Sequence, residues 1–236
     1  MDIRSNLFCP SRLSRSQTLR AIALCGLAAI GCNAHAEGLY VLASGGQSHF
    51  DLNLDRNDFD ADIEGTGLTV TSSKFDKSDT GYKLQLGYQF NENFALEGGY
   101  IDLGQAEYSA DLATTGITGN YKARFEAKGW NLDALLTLPI NAGFSLFLKG
   151  GVIRAEVKGS EKVSATDGTA TASDSISSTD KKVRANYGLG VAYNFYNNFS
   201  ARAEIERFSN LKSNNDNGFD VQADVDLYSV GLSYQF

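Results

Sequence analysis

Large apolar residues recur at every second position through most of this 236-residue chain. In segment 82–90, Tyr82, Leu84, Leu86, Tyr88 and Phe90 share one face, and Lys83, Gln85, Gly87 and Gln89 share the other. A period of two marks a β-strand with a single apolar face. The pattern returns in 94–103, with Phe94, Leu96, Gly98 and Tyr100 opposite Glu97 and Gly99. It returns in 130–138, where Trp130, Leu132, Ala134, Leu136 and Leu138 oppose Asn131 and Asp133. Segments 144–153, 185–195, 199–207 and 227–236 repeat it. A weaker first strand, about 38–47, is read with Tyr40 and Leu42 facing outward. Eight strands result.

Six of these strands pair through short turns at about 91–93, 139–143 and 196–198. Long polar connections join the opposite ends, at about 48–80, 105–122, 159–182 and 210–224. Short turns at one end and long connections at the other are the layout of a transmembrane barrel. The expected fold is therefore all-β, an eight-stranded antiparallel up-and-down barrel. Its first and last strands must pair, because lipid tolerates no open sheet edge.

The orientation of the two faces decides what such a barrel is. A soluble barrel of this size turns its apolar face inward around a ligand. Here Phe90, Phe94, Phe144, Phe195, Phe199, Tyr234 and Phe236 gather beside the short turns. Aromatic rings at one level suit the boundary between hydrocarbon and water. The apolar face is accordingly read as facing lipid, with the polar face filling the bore. Lys83, Glu97, Asp133, Lys149, Arg202, Glu204 and Glu206 then form a lumen charge network. Buried charges must be paired, so Glu97 and Glu204 are expected to meet Lys83, Lys149 and Arg202. Glycines at 87, 99, 151, 188, 190 and 231 are read as making room for the long Lys and Arg side chains.

Composition adds three points. Arg4, Arg12, Arg15 and Arg20 precede an apolar stretch, 21–30, and Ala34-His35-Ala36 places small residues at a cleavage site. Residues 1–36 read as a signal peptide and 37–236 as the barrel. The lipoprotein-like Ala29-Ile30-Gly31-Cys32 lacks the branched residue expected where Ala29 stands. Cleavage after Ala36 removes Cys9, Cys25 and Cys32, so no disulfide or thiolate site remains. It also removes four of 21 basic and one of 28 acidic residues, leaving 17 against 27, a net charge of −10. That balance argues against nucleic-acid binding. No segment has the roughly 18 consecutive apolar residues of a transmembrane helix.

Candidate chemistry is sparse. His49 is the one histidine after the leader, and adjacent Ser48 would point to the opposite face of a strand. No nucleophile motif surrounds them, so no catalytic residue and no enzymatic role is expected. The acidic run Asp55, Asp58, Asp60 and Asp62 lacks the glycine and glutamate spacing of an EF-hand. No metal site and no cofactor is expected. Segment 160–180, nearly all Ser, Thr, Ala and Asp, reads as mobile, and 210–224 as turns.

Two stretches carry a likeness to a known family. They are Gly81-Tyr82-Lys83-Leu84-Gln85-Leu86-Gly87-Tyr88-Gln89-Phe90 and Asn91-Glu92-Asn93-Phe94-Ala95-Leu96-Glu97-Gly98-Gly99-Tyr100. With the closing Tyr228, Val230, Leu232, Tyr234 and Phe236, the chain resembles the OmpA-like eight-stranded outer-membrane barrels. The resemblance implies a Gram-negative outer-membrane location, periplasmic short turns and surface-exposed long connections. It also implies that the barrel-assembly machinery reads the terminal aromatic strand. Larger members carry a peptidoglycan-binding domain after the barrel, and that activity is not carried over. The expected function is a structural, surface-interacting barrel working through its long connections, with a narrow pore for small solutes as the alternative. Its expected partners are outer-membrane lipid, lipopolysaccharide and molecules outside the cell, and it is expected to be a monomer.

Overall fold

The computed structural model describes residues 38–141, 143–214 and 220–236. The leader read over 1–36, with its cleavage site, lies outside them. The elements in order are β1 (Gly38–Leu52), α1 (Arg56–Glu64), β2 (Thr69–Asp76), β3 (Ser78–Asn91), β4 (Phe94–Thr114), β5 (Ile117–Asn141), β6 (Phe144–Thr166), β7 (Thr171–Tyr196), β8 (Phe199–Asn214) and β9 (Asp220–Gln235).

Eight strands close into a ring in the order β1, β3, β4, β5, β6, β7, β8, β9, each antiparallel to its neighbours. The seam between β1 and β9 runs from the Tyr40–Gln235 pair to the Leu52–Ala223 pair. The Phe236 N–H donates to the Leu39 carbonyl at 2.9 Å and pins the end of the last strand to the first. Strand β2 continues the line of β3 along β4, pairing with residues 107–113 where β3 pairs with 94–102.

The outward face carries the expected apolar belt. Leu84, Leu86, Leu132, Leu136, Leu148, Leu189, Val230 and Leu232 are all exposed. So large an apolar surface around a closed ring has no soluble explanation. Aromatic rings border it at the short-turn end, where Phe90 and Phe94 lie 5.5 Å apart, Phe144 and Tyr193 4.4 Å, and Phe199 and Tyr234 4.9 Å. A second aromatic level borders the other side: Tyr82, Trp130, Tyr187 and Tyr228 are exposed, and Trp130 packs edge-on against Tyr100.

Beyond that second level the pattern turns inside out. Outward positions become Asp102, Lys128, Arg154, Arg207 and Asp226, while Phe50, Ile101, Leu103, Phe125, Ile153, Phe208, Val225 and Leu227 point inward into a dry core. The same strands thus leave the belt as the wall of a water-soluble barrel.

Several expectations are corrected. Tyr40 and Leu42 point inward, both buried; Leu39 and Val41 take the outward side. Apolar residues occupy both parities there, so alternation was silent. The connection 48–80 is built rather than loose, containing the end of β1, α1 and β2. The Asp58 carboxylate accepts the Asp55 N–H at 2.7 Å and caps α1. Segments 105–122 and 159–182 are strand hairpins, paired as far as Thr114–Ile117 and Thr166–Thr171. Gly116 (φ +77°) and Gly168 (φ +89°) take the left-handed turn conformation at the two tips. Serine and threonine in 160–180 extend a ladder already nucleated by their neighbours, so the segment forms paired strand despite its low hydrophobicity. In 210–224, β8 and β9 account for all but residues 215–219, which lie outside the described residues.

Candidate functional site

Strand β6 gives the vertical order of the lumen. Its inward positions read Ser145, Phe147, Lys149, Gly151, Ile153, Ala155 and Val157. A small apolar layer, a charged layer and a larger apolar layer follow one another from the short-turn end.

The first layer joins Tyr40, Ala95, Leu135 and Phe147, with Ala192 packed against them. Gly87 lies against the Tyr40 ring and Gly190 against the Phe147 ring, so a Cβ at either would overlap its neighbour. This corrects the sequence reading: at these two positions the glycines make way for aromatic rings rather than for lysine or arginine.

The charged layer holds all seven residues singled out in sequence, each buried. Lys149 Nζ lies 3.1 Å from Glu97 Oε2, 3.2 Å from Glu204 Oε2, 3.0 Å from Glu206 Oε1 and 3.7 Å from Asp133 Oδ2. Lys83 Nζ sits 2.6 Å from Glu204 Oε2 and also bonds Glu206. Arg202 bonds Glu97 through Nη1 and lies 2.9 Å from Glu204 through Nη2, with its guanidinium 4.3 Å from the Phe147 ring centre. Three cations therefore hold four carboxylates. Further participants escaped the sequence reading, among them Asn131, whose amide donates to Asp133. The Tyr40 hydroxyl donates to Glu97 at 2.7 Å, and Asn186 donates to Asp133 at 2.7 Å. Asn186 was legible as an inward position between Ala185 and Tyr187; Tyr40 was hidden by the parity of β1.

Above the charges lies an apolar layer of Phe50, Ile101, Leu103, Phe125, Ile153, Phe208, Val225 and Leu227. Its signal was present in Ile153-Arg154-Ala155-Glu156-Val157-Lys158, where the apolar residues switch to the inward parity.

Helix α1 sits at the long-hairpin end. Phe59 stacks on Tyr108 at 4.7 Å and meets Phe75 edge-on at 5.6 Å. Asp60 accepts from the Tyr108 hydroxyl and from Ser73 at 2.9 Å. Burial, then the Asp60 carboxylate, pushes the Tyr108 phenol well above its ordinary pKa. A cavity of about 50 Å³ among Leu52, Phe59, Phe75, Tyr108, Phe125 and Ile176 is far below the ~300 Å³ of a ligand pocket. The acidic run is spent on structure: Asp58 caps, Asp60 holds Tyr108, and Asp55 pairs with Lys77 at 3.0 Å. Among the described residues no group of three or more His, Cys, Asp or Glu converges as a metal site would require.

Ser48 points inward and bonds the Leu103 carbonyl at 2.5 Å, whereas His49 points outward. His49 Nδ1 instead meets Ser78 Oγ at 3.0 Å on the exposed surface. Asp226, opposite His49 in the ladder, is engaged by both Nε and Nη2 of Arg207 at 2.6 Å. On the terminal strand, Tyr228, Val230, Leu232 and Phe236 are exposed on the belt, and Tyr234 lies between Phe199 and Phe236.

The chain matches a family model described as OmpA-like transmembrane domain over residues 34–236. It is 27% identical over 227 residues to an uncharacterized protein of Coxiella burnetii, covering 86% of this chain and 87% of that protein. It is 26% identical over 220 residues to outer membrane protein A of Serratia marcescens, covering 92% of this chain and 54% of that protein, about half its length. Among solved structures it is similar to Neisserial surface protein A, with 13% identity, coverage of 86% of this chain and 100% of the other, and a TM-score of 0.44.

Proposed function

Since the chain belongs to the OmpA-like transmembrane domain family, we propose that this outer-membrane β-barrel is a non-conducting anchor. It holds α1 and the long hairpins as a rigid surface outside the cell, with the short turns in the periplasm. The observation that carries this reading is the filled lumen. An eight-stranded bore has room for side chains and little else. Here a cross-linked charged layer is closed on both sides by apolar ones. An ion entering from the long-hairpin side would have to cross the larger apolar layer, where the inward Ser48 hydroxyl is already spent on the Leu103 carbonyl and, among the described residues, side chains offer nothing to replace the ion's hydration.

The surface end supports the same reading. Hairpin β6–β7 runs on past Asn186, the last point at which β7 pairs with β8, to a turn at 167–170. Contacts with external molecules are assigned to this hairpin and to α1, and contacts with lipid and lipopolysaccharide to the belt and its upper rim. Tyr228, Val230, Leu232, Tyr234 and Phe236 form the strand assigned to recognition by the barrel-assembly machinery. The barrel is proposed to act as a monomer. No enzymatic step is proposed, since the inward turn of Ser48 separates it from His49 and Arg207 occupies Asp226.

Planar-bilayer recording of the refolded chain tests the proposal. No unitary conductance is expected; steady single-channel steps would overturn it in favour of a narrow pore.

A further inference from the structure

Immediately above the Trp130 level, the outward face of β5, β6 and β7 is basic, in a chain whose formal net charge is −7. Outward positions are Arg124, Glu126 and Lys128 on β5, Arg154, Glu156 and Lys158 on β6, and Lys181 on β7. Lys181 is taken by Glu156 at 2.8 Å and Arg124 by Glu107 at 2.6 Å. Lys128, Arg154 and Lys158 are exposed and make no hydrogen bond or ion pair among the described residues.

The three lie close together. Lys128 pairs with Glu156 in the ladder, between Arg154 and Lys158 on the adjacent strand. Neighbouring strands run about 5 Å apart and alternate residues along a strand about 7 Å apart, so one multivalent anion can reach all three. Around the ring at similar height the charge is different. Arg207 is neutralised by Asp226, and Asp224 and Asp51 stand opposite each other on β9 and β1. Net positive charge therefore gathers in this sector, with Asp102 of β4 opposite Lys128 as its acidic border.

What lies beneath that sector specifies the occupant. Trp130 and Val183, 66% and 60% exposed, flank Arg154 across the ladder, Val152, 46% exposed, lies two residues below it on β6, and Leu132 continues the apolar surface downward. A partner filling both parts must bring an acyl chain and an anionic head on one molecule. We propose that Lys128, Arg154 and Lys158 form a binding site for the phosphate groups of an anionic outer-leaflet lipid whose acyl chains lie on Trp130 and Leu132. Arg154 is the member able to grip a phosphate with two parallel N–H bonds. This deepens the proposed function and rests on its orientation, with the long hairpins outside.

The test uses the refolded full chain in uncharged detergent micelles, titrated with bis-phosphorylated lipid A and with its dephosphorylated form. Binding is read by native mass spectrometry. At about 1 kcal/mol per cation near an anionic surface, the triple variant K128Q/R154Q/K158Q is expected to bind the phosphorylated lipid on the order of 100-fold more weakly. Its affinity for the dephosphorylated form should not change. R207Q, at similar height on another face, is expected to bind as the parent does. Equal loss in R207Q, or no loss in the triple variant, would overturn the site. If the triple variant does not fold, R154Q alone carries the test, with a loss of roughly tenfold or less expected. Orientation is read separately from an epitope inserted at 167–169 on intact cells. Antibody access there supports the outer-leaflet assignment. An inaccessible epitope overturns that assignment and the proposed function together, whatever the micelle titration gives.

Discussion

The belt half and the hairpin half of this barrel share strands, hydrogen-bond ladder and inward face but fill that face with opposite chemistry. In the belt, Leu132 and Leu148 look outward and Asp133 and Lys149 inward. A few residues further along the same strands, Lys128 and Arg154 look outward and Phe125 and Ile153 inward. The backbone does not change; the surrounding solvent does. Lipid rewards an apolar exterior and leaves the small bore to polar groups that satisfy one another. Water reverses the choice and lets a hydrophobic core form above the membrane.

That contrast can be tested most severely at Lys149. Lys149→Met removes the cation shared by Glu97, Glu204 and Glu206, leaving buried carboxylates under-compensated. A loss of about 3–5 kcal/mol is expected in urea titrations of the vesicle-inserted barrel. An unchanged midpoint would mean that the charged layer is not held by pairing. Next comes a matched pair on β5. Leu132→Arg places a charge on the lipid face and should cost about 2–4 kcal/mol by the same measurement. Lys128→Leu, four residues nearer the hairpin, should stay within about 0.5 kcal/mol. Similar costs at the two positions would erase the boundary between the halves.

Smaller effects belong to the hairpin end alone. Phe59→Ala removes the ring stacked on Tyr108 and should release α1 locally, raising amide exchange over 56–64 while the midpoint of global unfolding stays put. The smallest is at the β6–β7 tip. Backbone N–H groups of Ala170 and Thr169 hold the Asp167 carboxylate down to a pKa of about 2. A depressed folded pKa gives stabilisation that is complete above the ordinary aspartate value, near 3.9, and lost as pH falls through about 2. Amide shifts of Thr169 and Ala170 should therefore move between about pH 4 and pH 2 and stay constant above.

The barrel and its charged layer were legible because each depends on alternation within one strand. Lys83, Glu97, Asp133, Lys149, Arg202, Glu204 and Glu206 sit at inward parity between outward leucines and tyrosines, and a bore that narrow brings inward charges together. Tyr40 was not legible, since Leu39, Tyr40, Val41 and Leu42 are apolar on both faces and only the partner Glu97 decides which ring turns in. The hairpin half was misread for another reason. Val157, Phe125 and Phe208 keep the two-residue period, but surrounded by charge and serine they look like loop composition. Their partners are distant in sequence, as Phe50 meeting Phe125 shows. Helix α1 is nine residues with one buried side chain, too short for periodicity to register.

The seam where Tyr40 meets Gln235 has a bearing on biogenesis. Until those two ends join, two full-length rows of backbone amides and carbonyls have no partner, and hydrocarbon cannot supply one. A chain lacking its final strand would gain little from the seven ladders it can make, because the missing two leave gaps down both flanks. Insertion should therefore be all-or-none, with β9 deciding whether β1 ever settles.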